Sequence, residues 1–155
     1  MTGRTDFNLP LRPESWDKKI QQMYNYWLSI HPAEGQLPSR QHFDPMDIPR
    51  LLPIVWMFDV HHSPTRFKFR LMGTEIATIV GKDAGGQWLD EAFPDLVSSG
   101  VYEDYSYVAE TNKVLYRLGK PQYFVPEHKK IERLLMPLVD AENRCQILLG
   151  ISVYG

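Results

Sequence analysis

One cysteine, Cys145, in 155 residues leaves no disulfide to form within the chain. It also excludes every zinc or iron–sulfur site built on several cysteines. Charge of one sign is missing as well. The 17 Lys+Arg stand against 19 Asp+Glu for a formal charge of -2, without the basic excess that neutralising a phosphate backbone demands. Nucleic acid is therefore not an expected partner. No stretch approaches the roughly 18 uninterrupted apolar residues of a membrane span; the most apolar one, 51–58, is broken by Pro53. Membrane insertion is not expected. Met1-Thr2-Gly3-Arg4-Thr5-Asp6 lacks the apolar core of a secretory signal, and a cytoplasmic location is the expectation. No HExxH, GxSxG or P-loop pattern occurs, and 81–86 (Gly-Lys-Asp-Ala-Gly-Gly) lacks the spacing of a dinucleotide fingerprint.

What is present suffices for one core. Hydrophobic residues make up 43% and aromatics 12%, and the length fits one domain on a prior of roughly 100–200 residues. Residues 1–14 form a polar leader with Pro10 and Pro13. Ser15 is a candidate N-cap, and Trp16, Ile20, Met23, Trp27 and Ile30 then recur at 4-3-4-3 spacing, an apolar seam over two heptads. Tyr24 and Leu28 widen it, and Pro32 stops the helix at His31. Two heptads do not make a self-sufficient coiled coil, so the seam must dock. It covers a sheet of its own chain or pairs with a second copy.

Asp44-Pro45 starts a short helix that ends by Pro53. Residues 54–60 are rich in β-branched and aromatic side chains, 61–65 turn, and 66–71 (Arg-Phe-Lys-Phe-Arg-Leu) alternate strictly, predicting a hairpin. Thr74 caps a helix to Val80 with Gly81 at its C-terminal boundary. A connector at 82–93, anchored by Trp88, Leu89 and Phe93, leads to Pro94 and then to a long helix over 98–118 ending at Gly119. Strands follow at 122–125, 130–139 and 145–154, joined by turns at 126–129 and 140–143. Two strands, a helical middle and three strands predict an α+β fold with one five-stranded antiparallel sheet. The helices lie on one face, which leaves the other for the extra N-terminal amphipathic helix. Residues 1–32 then form the leader and docking helix, and 33–155 the core domain.

That order resembles the PAS domain. Leu51-Leu52-Pro53 before the first strand, Phe69-Arg70-Leu71-Met72-Gly73-Thr74 with Gly81-Lys82-Asp83, Gly86-Gln87-Trp88-Leu89-Asp90 and Met136-Pro137-Leu138 are similar to the short, stand-alone PAS-like proteins of alphaproteobacteria. The resemblance covers about 38–154 and implies a bacterial sensor or interaction module with a ligand between sheet and long helix. It also implies a homodimer formed through an N-terminal helix, the place held by Trp16, Ile20, Met23, Trp27 and Ile30. With no output segment after the last strand, a separate signalling protein is the expected partner.

Haem-binding relatives take a proximal histidine from the long helix. Here His31, His42, His61, His62 and His128 all fall elsewhere, which argues against b-type haem. Cysteinyl-flavin photochemistry needs a cysteine in the helical middle, and Cys145 lies in the last strand. His61 and His62 are neighbours in a turn, where two side chains rarely converge on one metal. Arg66, Lys68 and Arg70 share one strand face: an anion site, or a solvent-facing sheet surface. Glu103 and Asp104 are adjacent on a helix and form no catalytic dyad.

Candidate pocket residues are Phe67, Phe69, Leu71, Ile76, Trp88, Tyr105, Val108, Tyr123, Leu134 and Met136, with Thr74, Tyr102 and Tyr105 as polar contacts. The same residues also fit a dry core, and a one-residue slip in strand parity would swap the faces. The leading expectation is a non-enzymatic sensor or adaptor that binds a small molecule, a partner or both and signals through dimer packing. The alternatives are a pure interaction module and a small NTF2-like enzyme. The last is disfavoured by strands that come two then three around the helices.

Overall fold

In the computed structural model, which describes residues 11–97, 100–119 and 130–155, the chain enters through a 3-10 turn at Pro13–Ser15. Helix α1 (Lys18–Ser29) starts later than expected. Its N-cap is Asp17, whose carboxylate accepts from the Lys19 N–H at 2.8 Å. Ser15 instead donates to the Arg12 carbonyl. The short helix expected from Asp44 is a single 3-10 turn, Pro45–Asp47. Strands β1 (Val55–His61) and β2 (Arg66–Met72) form the expected hairpin. Helices α2 (Thr74–Val80), α3 (Leu89–Ala92), α4 (Pro94–Val97) and α5 (Val101–Thr111) make the helical middle, and Gly81 closes α2 at φ +95°. Strands β3 (Leu115–Gly119), β4 (Ile131–Val139) and β5 (Cys145–Tyr154) complete the chain. The antiparallel sheet runs β2-β1-β5-β4-β3.

The long helix differs from expectation. It ends at Asn112, which adopts a left-handed φ of 60° and closes the helix through its N–H to the Val108 carbonyl. Asparagine tolerates this conformation, so the helix needs no glycine to stop. Leu115–Gly119, expected as its last turn, is freed to pair with β4 as an edge strand. The strand expected at 122–125 and the turn at 126–129 lie outside the described residues.

Of the two partners open to the N-terminal seam, the structure shows its own sheet. Ile20, Met23 and Trp27 are buried and Ile30 packs at the margin, while Leu28 faces solvent. Trp27 Nε1 donates to the Pro137 carbonyl at 3.0 Å, and Trp16 stacks flat on Tyr116 with ring centroids 4.5 Å apart. The Asp17 N–H and the Tyr116 hydroxyl both donate to Glu132 Oε2. Helix α1 thus covers one face of β3, β4 and β5. Helices α2 to α5 cover the other.

Candidate functional site

Alternation along a strand divides its side chains between the two faces. On β4, Glu132 reaches α1 and the turn leading to it, so Arg133 points to the α5 side, opposite Arg117 on β3 and Ser152 on β5. On β1, Trp56 and Phe58 share that side with Gly150 and Leu148. There a cavity of about 40 Å³ opens between sheet and helices. Its floor is Trp56, Phe58, Phe69, Met72, Arg133, Ser152 and Tyr154, and its roof is Ile76, Val80, Leu89, Phe93, Leu96 and Tyr105. Rings dominate: Trp56 lies 5.2 Å from both Phe58 and Tyr105, and Phe58 lies 4.5 Å from Phe69.

Few polar groups reach this space. Trp56 Nε1 donates to Ser152 Oγ at 2.9 Å, which uses the indole N–H and leaves the serine O–H as a donor. Burial pushes the Tyr105 phenol up to about 12, so its hydroxyl stays protonated at neutral pH and remains a donor. No described residue hydrogen-bonds that hydroxyl. Arg133 is only 5% exposed, and its guanidinium has no hydrogen bond or ion pair with any described residue. The nearby carboxylate of Asp104 is committed elsewhere, both oxygens accepting from Arg117 at 2.8 and 2.9 Å.

The expected pocket residues separate. Phe69, Ile76 and Tyr105 line the cavity. Phe67 and Val108 are buried beside it, Phe67 edge-on to Tyr102 and Tyr105. The Tyr102 hydroxyl donates to the Thr65 carbonyl at 2.6 Å and ties α5 to the hairpin turn. Thr74 is exposed on α2. Trp88 sits on the outside of β2 beneath Arg66, whose guanidinium carbon is 3.9 Å from the ring centroid. Leu71 faces away because Phe58 pairs with Phe69 but Met57 pairs with Leu71. This bulge leaves Arg70 as the extra residue and gives Met72 the inward place. Leu134 and Met136 share the face of Glu132, toward α1, and Tyr123 lies outside the described residues.

Sequence reasoning missed Trp56, Phe58, Met72, Val80, Leu89, Phe93, Leu96, Arg133, Ser152 and Tyr154. The signal for two of them was there: Arg133 and Ser152 interrupt otherwise apolar strands, and a polar group in a buried strand is the informative exception.

Other candidate groups lie elsewhere. Arg66 forms two hydrogen bonds with Asp90 at 2.9 and 2.7 Å and holds that carboxyl below its usual range. Arg70 pairs with Asp59 at 2.9 Å. The basic face of β2 is thus largely neutralised by its own chain. His62 Nε2 donates to the Cys145 carbonyl while His61 packs against Trp88, so the two rings diverge. No cluster of metal-ligating side chains occurs among the described residues, and none of their helices is long and apolar enough to cross a membrane.

Cys145 is buried, and burial pushes its thiol up to about 12. Against an ordinary value near 8.5, this lowers the thiolate fraction at pH 8 roughly a thousandfold. A disulfide reagent such as DTNB is expected to label the folded protein at least tenfold more slowly than the urea-unfolded chain. Equal rates would place the thiol at the surface.

A family model described as PAS domain matches residues 17–153. Among solved structures, VqmA bound to DPO superposes with a TM-score of 0.52 at 15% identity, over 71% of this chain and 56% of that one. This chain therefore spans little more than half of VqmA. A LOV protein of Rhodobacter sphaeroides gives a TM-score of 0.43 at 11% identity, over 72% of this chain and 68% of that one. No curated protein matches the sequence.

Proposed function

The chain belongs to the PAS domain family, and we propose that it is a sensory binding module that admits a small molecule between sheet and α5 and passes its occupancy to another protein. The observation that carries this reading is the cavity itself: aromatic walls with a few polar groups, the usual make-up of a small-ligand site. Its described lining holds no Asp, Glu, His or Cys, so the reading is binding rather than turnover. VqmA, which shares the fold, binds DPO.

Transmission runs through a single layer. Arg133 and Ser152 line the cavity, while Glu132 and Leu134, the neighbours of Arg133 on β4, lie on the α1 side. A ligand that shifts β4 changes the seat of α1. Occupancy then biases how firmly α1 docks, and so what it presents to a second copy or a separate cytoplasmic partner.

A second reading, an interaction module with a dry core, is favoured by size. The cavity holds about 40 Å³, against roughly 300–1,000 Å³ for pockets that take drug-sized ligands. Native mass spectrometry of freshly purified protein separates the two. The sensory reading expects an extra small mass that is lost on denaturation, or one that returns on adding a ligand. A chain that stays bare throughout overturns it.

A further inference from the structure

We propose that the cavity selects small monocarboxylic acids, with the carboxylate on Arg133, a second hydrogen bond from the Tyr105 hydroxyl, and the apolar body against Trp56, Phe58 and Phe69. This rests on the ligand-binding reading above and names its chemical class. An arginine stays charged at any physiological pH, and an isolated charge in the protein interior is strongly disfavoured unless something pairs with it. Arg133 is 5% exposed and unpaired among the described residues. Its register partner on β3 is a second cation, Arg117, and like charges directly opposite each other repel. Asp104, the carboxylate on α5 that reaches this face of the sheet, has both oxygens on Arg117.

An incoming carboxylate supplies what the fold omits. The planar guanidinium matches its two oxygens with two parallel N–H donors. Tyr105 lies close enough to feel the Arg133 charge, and its hydroxyl has no described partner. Phosphate suits the site less well, because two negative charges and further oxygens would face rings with a single cation. The space of about 40 Å³ limits the ligand to a compact head and a short body.

The full-length protein is titrated at pH 7 and constant ionic strength with propionate and benzoate, their neutral amides propionamide and benzamide, and inorganic phosphate, followed by thermal shift and calorimetry. An acid is expected to bind and raise the melting temperature, while the amides and phosphate do not. Arg133→Met should weaken acid binding at least tenfold. It should remain folded, since replacing an isolated buried charge by an apolar side chain is neutral to stabilising. Arg133→Lys, which keeps the charge without the fork, should fall between. Equal acid binding by wild type and Arg133→Met, or amides binding as well as acids, overturns the carboxylate assignment and leaves a neutral-ligand site. If no acid binds, this assignment falls, and the co-purified mass decides separately whether the ligand-binding reading falls with it.

Discussion

Replacing Trp27 by alanine is expected to cost about 4 kcal/mol of folding stability. The indole is 4% exposed and donates to the Pro137 carbonyl at 3.0 Å. Its truncation opens a ring-sized void and leaves a buried acceptor without its donor. For a chain of this length, 1 kcal/mol corresponds to roughly 2–4 °C in melting temperature, so a drop of around 10 °C should appear in thermal unfolding. Urea denaturation should show a lower midpoint at similar slope. Because Ile20 and Met23 lie on the same buried stripe, amide exchange along α1 should quicken before that of β5. A loss under about 1 kcal/mol would mean that α1 is an appendage rather than part of the core.

The element order, and with it the fold, was legible because it rests on local chemistry. The alternation Phe67, Phe69 and the glycine at 81 produce β2 and the end of α2 without help from the rest of the chain. The docking stripe of α1 was equally plain, but its partner was not. An apolar seam states that something must cover it, and only the sheet's far face shows what does.

The cavity was less legible because its composition depends on parity. One extra residue at Arg70 exchanges Leu71 for Met72. On β4, alternation could be read but not its sense: all of 133–139 is buried, so burial does not mark which face belongs to α1. Only the hydrogen bonds of Glu132 settle it. Arg133 could have been found on its own terms. A charge amid Ile131, Leu134, Leu135 and Met136 needs a reason, and polar side chains in buried strands are where function departs from folding rules. Asn112 was harder, since its helix-stopping conformation is not announced by its neighbours.

Gly150→Ala is expected to cost about 3 kcal/mol and, on the binding reading proposed above, to abolish uptake of a ligand by the cavity, although it adds one carbon atom. Gly150 pairs with Trp56 on β1 and Leu135 on β4, in the middle of the sheet. A Cβ there would stand 2.1 Å from Trp56 Cζ2 and 2.3 Å from Cη2, a separation that no contact sustains. The glycine is therefore the seat of the indole that floors the cavity, the close approach that often explains a glycine inside a strand. The ring cannot yield cheaply. It is 4% exposed, packs 5.2 Å from Phe58 and Tyr105, and donates to Ser152. Displacing it frees the Ser152 hydroxyl and pushes the indole toward Tyr105, into the space a ligand would use. A double-mutant cycle with Trp56→Phe distinguishes this clash from a general intolerance of side chains at that position. Trimming the indole should recover at least 1 kcal/mol of the alanine penalty as coupling. Additive losses in urea unfolding would show that Trp56 does not set the requirement for glycine.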